Sequence, residues 1–202
     1  MGSPLIIPLV GLVYLLGFGA LSFVRGQGLS ARFAVEGLII TAIGSGLHFM
    51  SASIHPLAFL IVLYLFTMRV RLLIDIGNWL SARGGSDKAL VFYRLALSLG
   101  PDFVSRQIVL INRGVAQLHN QDPEGACVTL EEVLDGEDGR IGSKHLAASY
   151  YNLGLACRRS GREAEAIRRF NQAIDAWPNS VYGQAAEREL NRQAKEPGVT
   201  PE

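Results

Sequence analysis

Residues 150–178 read YYNLGLACRRSGREAEAIRRFNQAIDAWP, from Tyr150 to Pro178. Their spacing predicts two helices folded back on each other. Gly154, Ala166 and Ala173 are small, as they must be where the helices of a hairpin approach closely. Phe170 is large enough to fill the space they leave. Gly161 falls at the turn, and Pro178 stops the second helix. One such hairpin cannot bury its apolar face alone, so neighbours are required.

The neighbours are present. Forty residues upstream, Ile111-Asn112-Arg113-Gly114 falls on Tyr151-Asn152-Leu153-Gly154, and Ala126, Leu130 and Val133 fall on Ala166, Phe170 and Ala173. Thirty-seven residues further back, Gly77, Gly84, Ala89, Tyr93, Ala96 and Pro101 take the same slots. The pattern resembles the tetratricopeptide repeat, a helix–turn–helix unit of about 34 residues with a large residue, Leu-Gly, aromatic and small positions and a closing Pro. Tyr150, Leu153, Gly154, Ala166, Phe170, Ala173 and Pro178 hold those slots, and only Cys157 stands where an aromatic is usual. Three repeats are expected, at about 70–103, 107–140 and 147–180. The middle one is degenerate, with Arg113 in the Leu slot and no closing Pro. Its wider spacing predicts a loop around Gly136–Gly142. Ser180 is expected to cap a last helix at 181–195 that covers the third repeat, followed by a loose tail at 197–202.

The charges are unevenly spread. Of 37 Lys, Arg, Asp and Glu residues, only Arg25, Arg32, Glu36 and Arg69 precede residue 70. That break is the mark of a membrane segment joined to a soluble domain. Residues 5–24 carry no charge, a length that suits a spanning helix. No Lys or Arg precedes them and no A-x-A-like site follows, so they do not read as a signal peptide. A second span is expected at 33–53. There Gly37, Thr41 and Ser45, with Gly44 beside them, form the kind of small-residue face that lets membrane helices pack closely. A third span at 54–70 reaches about 25 Å if its arginines snorkel. A continuous helix from it into the first repeat would mount the array rigidly. The first domain is thus 1–69 and the second 70–196. Arg25 and Arg32 on one side, and Arg69, Arg71 and Arg83 after the third span, predict the N-terminus outside and the repeats in the cytoplasm. The short loops suit a bacterial inner membrane.

The sequence offers no catalytic motif. It has no phosphate-binding Gly-rich loop, no H-E-x-x-H and no G-x-S-x-G. Cys127 and Cys157 lack metal-like spacing and read as buried hydrophobes. The acidic stretch Glu131–Asp138 fails the calcium-loop pattern. Glu36 and His48 are ionisable residues in apolar surroundings, but twelve residues separate them by about 120° around a helix. The net charge of +1 does not point to nucleic acid. No enzyme activity, cofactor or metal is expected.

The family resemblance implies a concave surface, lined by the first helix of each repeat, that binds a peptide or helix of a partner protein. Carried onto this chain, the lining is Arg71, Ile74 and Asn78, then Ile108, Ile111, Asn112, Val115 and His119, then Tyr151, Asn152, Leu155, Arg158 and Arg159. Members that clamp chaperone carboxylates carry a Lys where Ile74 stands, so that clamp is incomplete. The expected fold is all-α, with about three transmembrane helices followed by a three-repeat α-solenoid. The expected function is a membrane-anchored adaptor or scaffold that binds partner proteins at the cytoplasmic membrane face, in assembly of a membrane complex. The alternative is a constitutive structural subunit held through its membrane helices.

Overall fold

The computed structural model describes residues 5–24, 30–50, 53–135 and 141–195. Among them the chain forms ten helices and no strand. They are α1 (Ile6–Val24), α2 (Ala31–Phe49), α3 (Pro56–Thr67), α4 (Arg69–Ala82), α5 (Ser86–Ser98), α6 (Phe103–His119), α7 (Pro123–Asp135), α8 (Ser143–Arg159), α9 (Glu163–Ala176) and α10 (Val181–Lys195). Met1–Leu72 and Leu73–Glu202 form two compact units. The polar loop at 25–29, most of the loop at 136–142 and the tail at 197–202 lie outside the described residues.

In the second unit the hairpins are α4–α5, α6–α7 and α8–α9. Two of their first helices begin four residues earlier than the repeat boundaries predict, at Phe103 and Ser143. Asp102 explains the first of these starts, because its carboxylate accepts from the Ser105 N–H at 3.0 Å and caps α6. Each hairpin closes by the same turn. The amides of Gly85, Asp122 and Arg162 reach back to the carbonyls of Leu80, Gln117 and Cys157 at 2.9, 3.0 and 2.8 Å. The residues before them, Gly84, Gln121 and Gly161, take positive φ of 79°, 58° and 75°. This is the left-handed helix stop that glycine favours. Asp122 also accepts from the Gly125 N–H at 2.9 Å, starting α7 behind Pro123.

The paired helices meet at equivalent places. A Cβ on Gly77 would come within 2.5 Å of the Tyr93 ring, one on Gly114 within 2.7 Å of Leu130, and one on Gly154 within 2.7 Å of Phe170. Ala89, Tyr93 and Ala96, and likewise Ala126, Leu130 and Val133, and Ala166, Phe170 and Ala173, are all buried. Cys127 and Cys157 share one cluster with Leu130, Leu153 and Phe170. Burial pushes the Cys157 thiol up to about 12 and raises that of Cys127. Ser180 caps α10 as expected, its hydroxyl accepting from the Gly183 N–H at 2.9 Å. Ala186 is buried in the third-repeat cluster, with Leu190 packed beside it.

The first unit packs α1, α2 and α3 around Ile7, Tyr14, Phe59 and Leu63. The small residues of α2 are used inside this bundle. Gly37 receives Leu15 of α1, Thr41 lies against Gly11, and a Cβ on Gly44 would come within 2.5 Å of Phe59 of α3. The Ser45 hydroxyl donates to its own helix, to the Thr41 carbonyl at 2.7 Å. The Tyr14 and Thr67 hydroxyls bond at 2.6 Å, tying α1 to α3. The helix does not run on from α3 into α4. It breaks at Met68, where the chain bends by 71°. Among the described residues no single helix is long and apolar enough to cross a membrane, although α3 and α4 taken together have the length and composition.

Two outcomes check this packing. Replacing Phe170 by Ala should cost about 3–5 kcal/mol in denaturant unfolding. Gly154→Ala should cost about 1–3 kcal/mol, whereas Gly46→Ala, where a Cβ meets nothing within 4 Å, should be nearly neutral. In thiol titration with an aromatic disulfide reagent at pH 8, Cys127 and Cys157 should stay unreacted in the native chain and both react once it is unfolded. Fast native reaction of either would contradict their burial.

Candidate functional site

The expected lining residues divide into three groups. Ile74, Ile111 and Asn152 are buried. Ile111 packs with Leu110, Val133 and Ala148, and the Asn152 amide donates to the Ala148 carbonyl at 2.8 Å. These three belong to the repeat core and are not presented at a surface. The reason is helical geometry. Each lies within a turn of a packing glycine, Gly77, Gly114 or Gly154, where the hairpin is tightest.

A second group is engaged by neighbours. The Asn78 side-chain oxygen accepts from the Tyr93 hydroxyl at 2.7 Å, and burial raises the Tyr93 phenol to about 12, so it stays a donor. Tyr151 has the rings of Phe170 at 6.0 Å and Tyr182 at 6.1 Å. Arg158 lies over the Phe170 ring at 4.7 Å and pairs with Glu163 at 3.0 Å and Glu189 at 2.6 Å. Arg159 donates to the Leu118 carbonyl at 2.7 Å, across from α8 to the end of α6. The acidic partners of Arg158 are thus supplied within the chain, by α9 and α10. The two arginines fasten the third repeat to its neighbours.

The third group remains at the surface. Ile108, Asn112, Val115 and Leu155 are half-buried, and His119 and Arg71 are exposed. Ile108, Asn112, Val115 and His119 recur along one side of α6 at intervals of four, three and four. This stripe carries two aliphatic side chains, one amide and one imidazole, and it is the part of the expected groove still open to a partner. The sequence reading missed how far α10 contributes. Tyr182 packs against the cluster of Leu110, Ile111, Val133 and Ala148. The amphipathic pattern of α10 signalled a cap, but nothing in one sequence linked Glu189 to Arg158.

The two ionisable residues of the first unit differ. Glu36 accepts from Arg32 at 2.7 Å and from Arg69 at 2.6 Å, in a closed ion-pair triad between α2 and the start of α4. The imidazole of His48 is half-buried, and its Nδ1 has no hydrogen-bond partner. Glu36 and His48 are not brought together by any contact, and Glu36 serves to hold Arg69. Part of the acidic stretch, 136–138, lies outside the described residues; Glu131, Glu132 and Asp135 sit on the last turns of α7.

Comparison with known proteins places the same stretch. Residues 105–179 match the sequence model of the family described as tetratricopeptide repeat, which takes in α6 to α9. The Photosystem I assembly protein Ycf3 of Synechococcus sp. (strain CC9902) is 30% identical over 105 residues, covering 50% of this chain and 61% of that protein. The chain thus spans less than two thirds of that relative's length. The likeness is to the tetratricopeptide repeat, carried by sequence over 105–179 and by the shared turns and glycine contacts of the hairpins.

Proposed function

We propose that this chain is a membrane-anchored adaptor. In this reading α1–α3 hold it in a bacterial inner membrane with the N-terminus outside, and the repeats bind a partner protein at the cytoplasmic face during assembly of a membrane complex. The observation that carries the anchoring is the outside of the first unit. Leu12, Leu16, Leu38, Ile43, Ile61 and Leu65 are exposed around a core that is itself apolar. A bundle apolar inside and outside suits lipid, or burial by another protein, and not water. The partner-binding part rests on the repeat likeness and on the open stripe of α6. The assembly part rests on the likeness to a Photosystem I assembly protein, which supplies a class of task and not a partner.

A second reading, the constitutive membrane subunit, draws on a different observation. Ala42 and Gly46 of α2 are exposed, and a Cβ on Gly46 would meet nothing within 4 Å. Small residues four apart on an outer face suit close approach by another membrane helix. Gly44 does not discriminate, because Phe59 already covers it.

Alkaline carbonate extraction of native membranes should leave the chain in the pellet; release into the supernatant would remove the anchoring. For the groove, cross-linked partners recovered with the full-length protein should fall by roughly tenfold on Val115→Glu or His119→Glu, a loss of about 1.4 kcal/mol. Val128→Glu, on the exposed side of α7, should change nothing. Equal recovery from all three would exclude the α6 stripe, and loss on Gly46→Leu alone would favour the subunit reading.

A further inference from the structure

The helix α4 is apolar on two sides. Ile74 and Gly77 face inward, Gly77 against the Tyr93 ring. On the opposite side Leu72, Ile76 and Trp79 recur at intervals of four and three, which puts them in one stripe, and Arg83 follows just past the helix end. Ile76 is 42% exposed and Trp79 53%. The Arg83 guanidinium lies 3.9 Å from the centre of the Trp79 ring. Hydrophobic positions on a buried face need no explanation beyond the repeat. A tryptophan on the outward face, with an arginine laid over it, does.

The chain itself says what lies nearby. One residue, Met68, separates α4 from α3, and the first residue of α4, Arg69, is held by Glu36 of α2. The stripe therefore starts at the polar end of the bundle read above as the membrane anchor. The bend at Met68 turns α4 off the line of α3. A helix lying in the membrane surface carries an apolar stripe with Trp, Leu or Ile, flanked by Lys or Arg. Tryptophan settles at the headgroup level, and an arginine there lays its stem on apolar surface while its charge reaches phosphate. Arg71 and Arg83 are exposed beside the stripe, with Asp75 the one acid of α4, so the flank is positive and complements anionic headgroups.

We propose that the outward stripe of α4, Leu72, Ile76 and Trp79 flanked by Arg71 and Arg83, docks on the anionic headgroup surface of the membrane that anchors the preceding helices. The proposal rests on the membrane reading above. It adds that the first repeat lies on the lipid with Trp79 about 5–10 Å into the headgroup boundary.

The chain has two tryptophans, so Trp177→Phe leaves Trp79 as the only reporter. Full-length protein would be reconstituted in phosphatidylcholine vesicles with and without phosphatidylglycerol. Flotation reports anchoring, and Trp79 emission reports depth. The expected result is a floating protein whose emission is blue-shifted, quenched by lipids brominated high on the acyl chain and poorly quenched by aqueous acrylamide. The lipid quenching should be stronger with phosphatidylglycerol and weaker in the Arg83→Glu variant. If the protein floats but acrylamide quenches Trp79 and bromolipid does not, the docking is overturned while the anchoring stands. Shielding of Trp79 from both quenchers means that protein covers the stripe, which also overturns it. Failure to float removes the anchoring and the docking together. Should Trp177→Phe lose its helical circular dichroism, subtracting the emission of Trp79→Phe from that of the unmodified protein reads the same depth.

Discussion

A missing side chain on one helix, filled by a large one from the next, holds each repeat together. Gly77 with Tyr93, Gly114 with Leu130 and Gly154 with Phe170 are the same contact made three times. The absence of a Cβ sets how near the helices lie. That distance fixes which neighbours are drawn into the core, as Ile74, Ile111 and Asn152 are, and which stay at the edge, as Ile108 and Val115 do. The closing turn agrees with it, because its left-handed residue ends the first helix at the position that lets the second return over the glycine. Local conformation and tertiary packing point to one structure.

The first unit uses the same device with a different balance of polar groups. Gly11, Gly37 and Gly44 each make room for a side chain of another helix. Its hydroxyls are satisfied close to home: Thr41 donates to the Gly37 carbonyl at 2.7 Å and Thr67 to the Leu63 carbonyl at 2.7 Å. Its one acid is enclosed by two arginines. A bundle whose polar atoms all bond within it can present an apolar exterior without stranding a donor or acceptor. Among the described buried side-chain atoms of this bundle, the His48 ring nitrogen is the one without a hydrogen-bond partner.

Much of this was legible in the sequence, for a physical reason. Recurrent glycines and alanines at fixed offsets report close helix approach, and such sterics leave a trace at every repeat. Tyr93, Leu130 and Phe170 were therefore identifiable as fillers, and Ser180 as a cap. The lining residues were harder to read. A first-helix position faces the inner surface or the core according to a rotation of a few tens of degrees, which a residue's identity does not encode. Ile111 and Ile108 look alike in sequence and end in different places. Long-range pairs such as Arg158 with Glu189 leave no periodic trace at all. The break at Met68 was also hidden, since no proline or glycine marks it.

Gln121 holds the position taken by Gly84 and Gly161 in the other turns, with φ of 58°. A left-handed backbone costs a residue with a side chain about 1 kcal/mol more than glycine. In a linear stack, stability is the sum of each unit's own folding term and its coupling to adjacent units. A terminal unit has one such coupling and an internal unit has two. The strained turn lies in the internal hairpin, where cooperativity with both flanks is available to offset it. The least favourable local sequence thus occupies the place in the array that can best tolerate a defect.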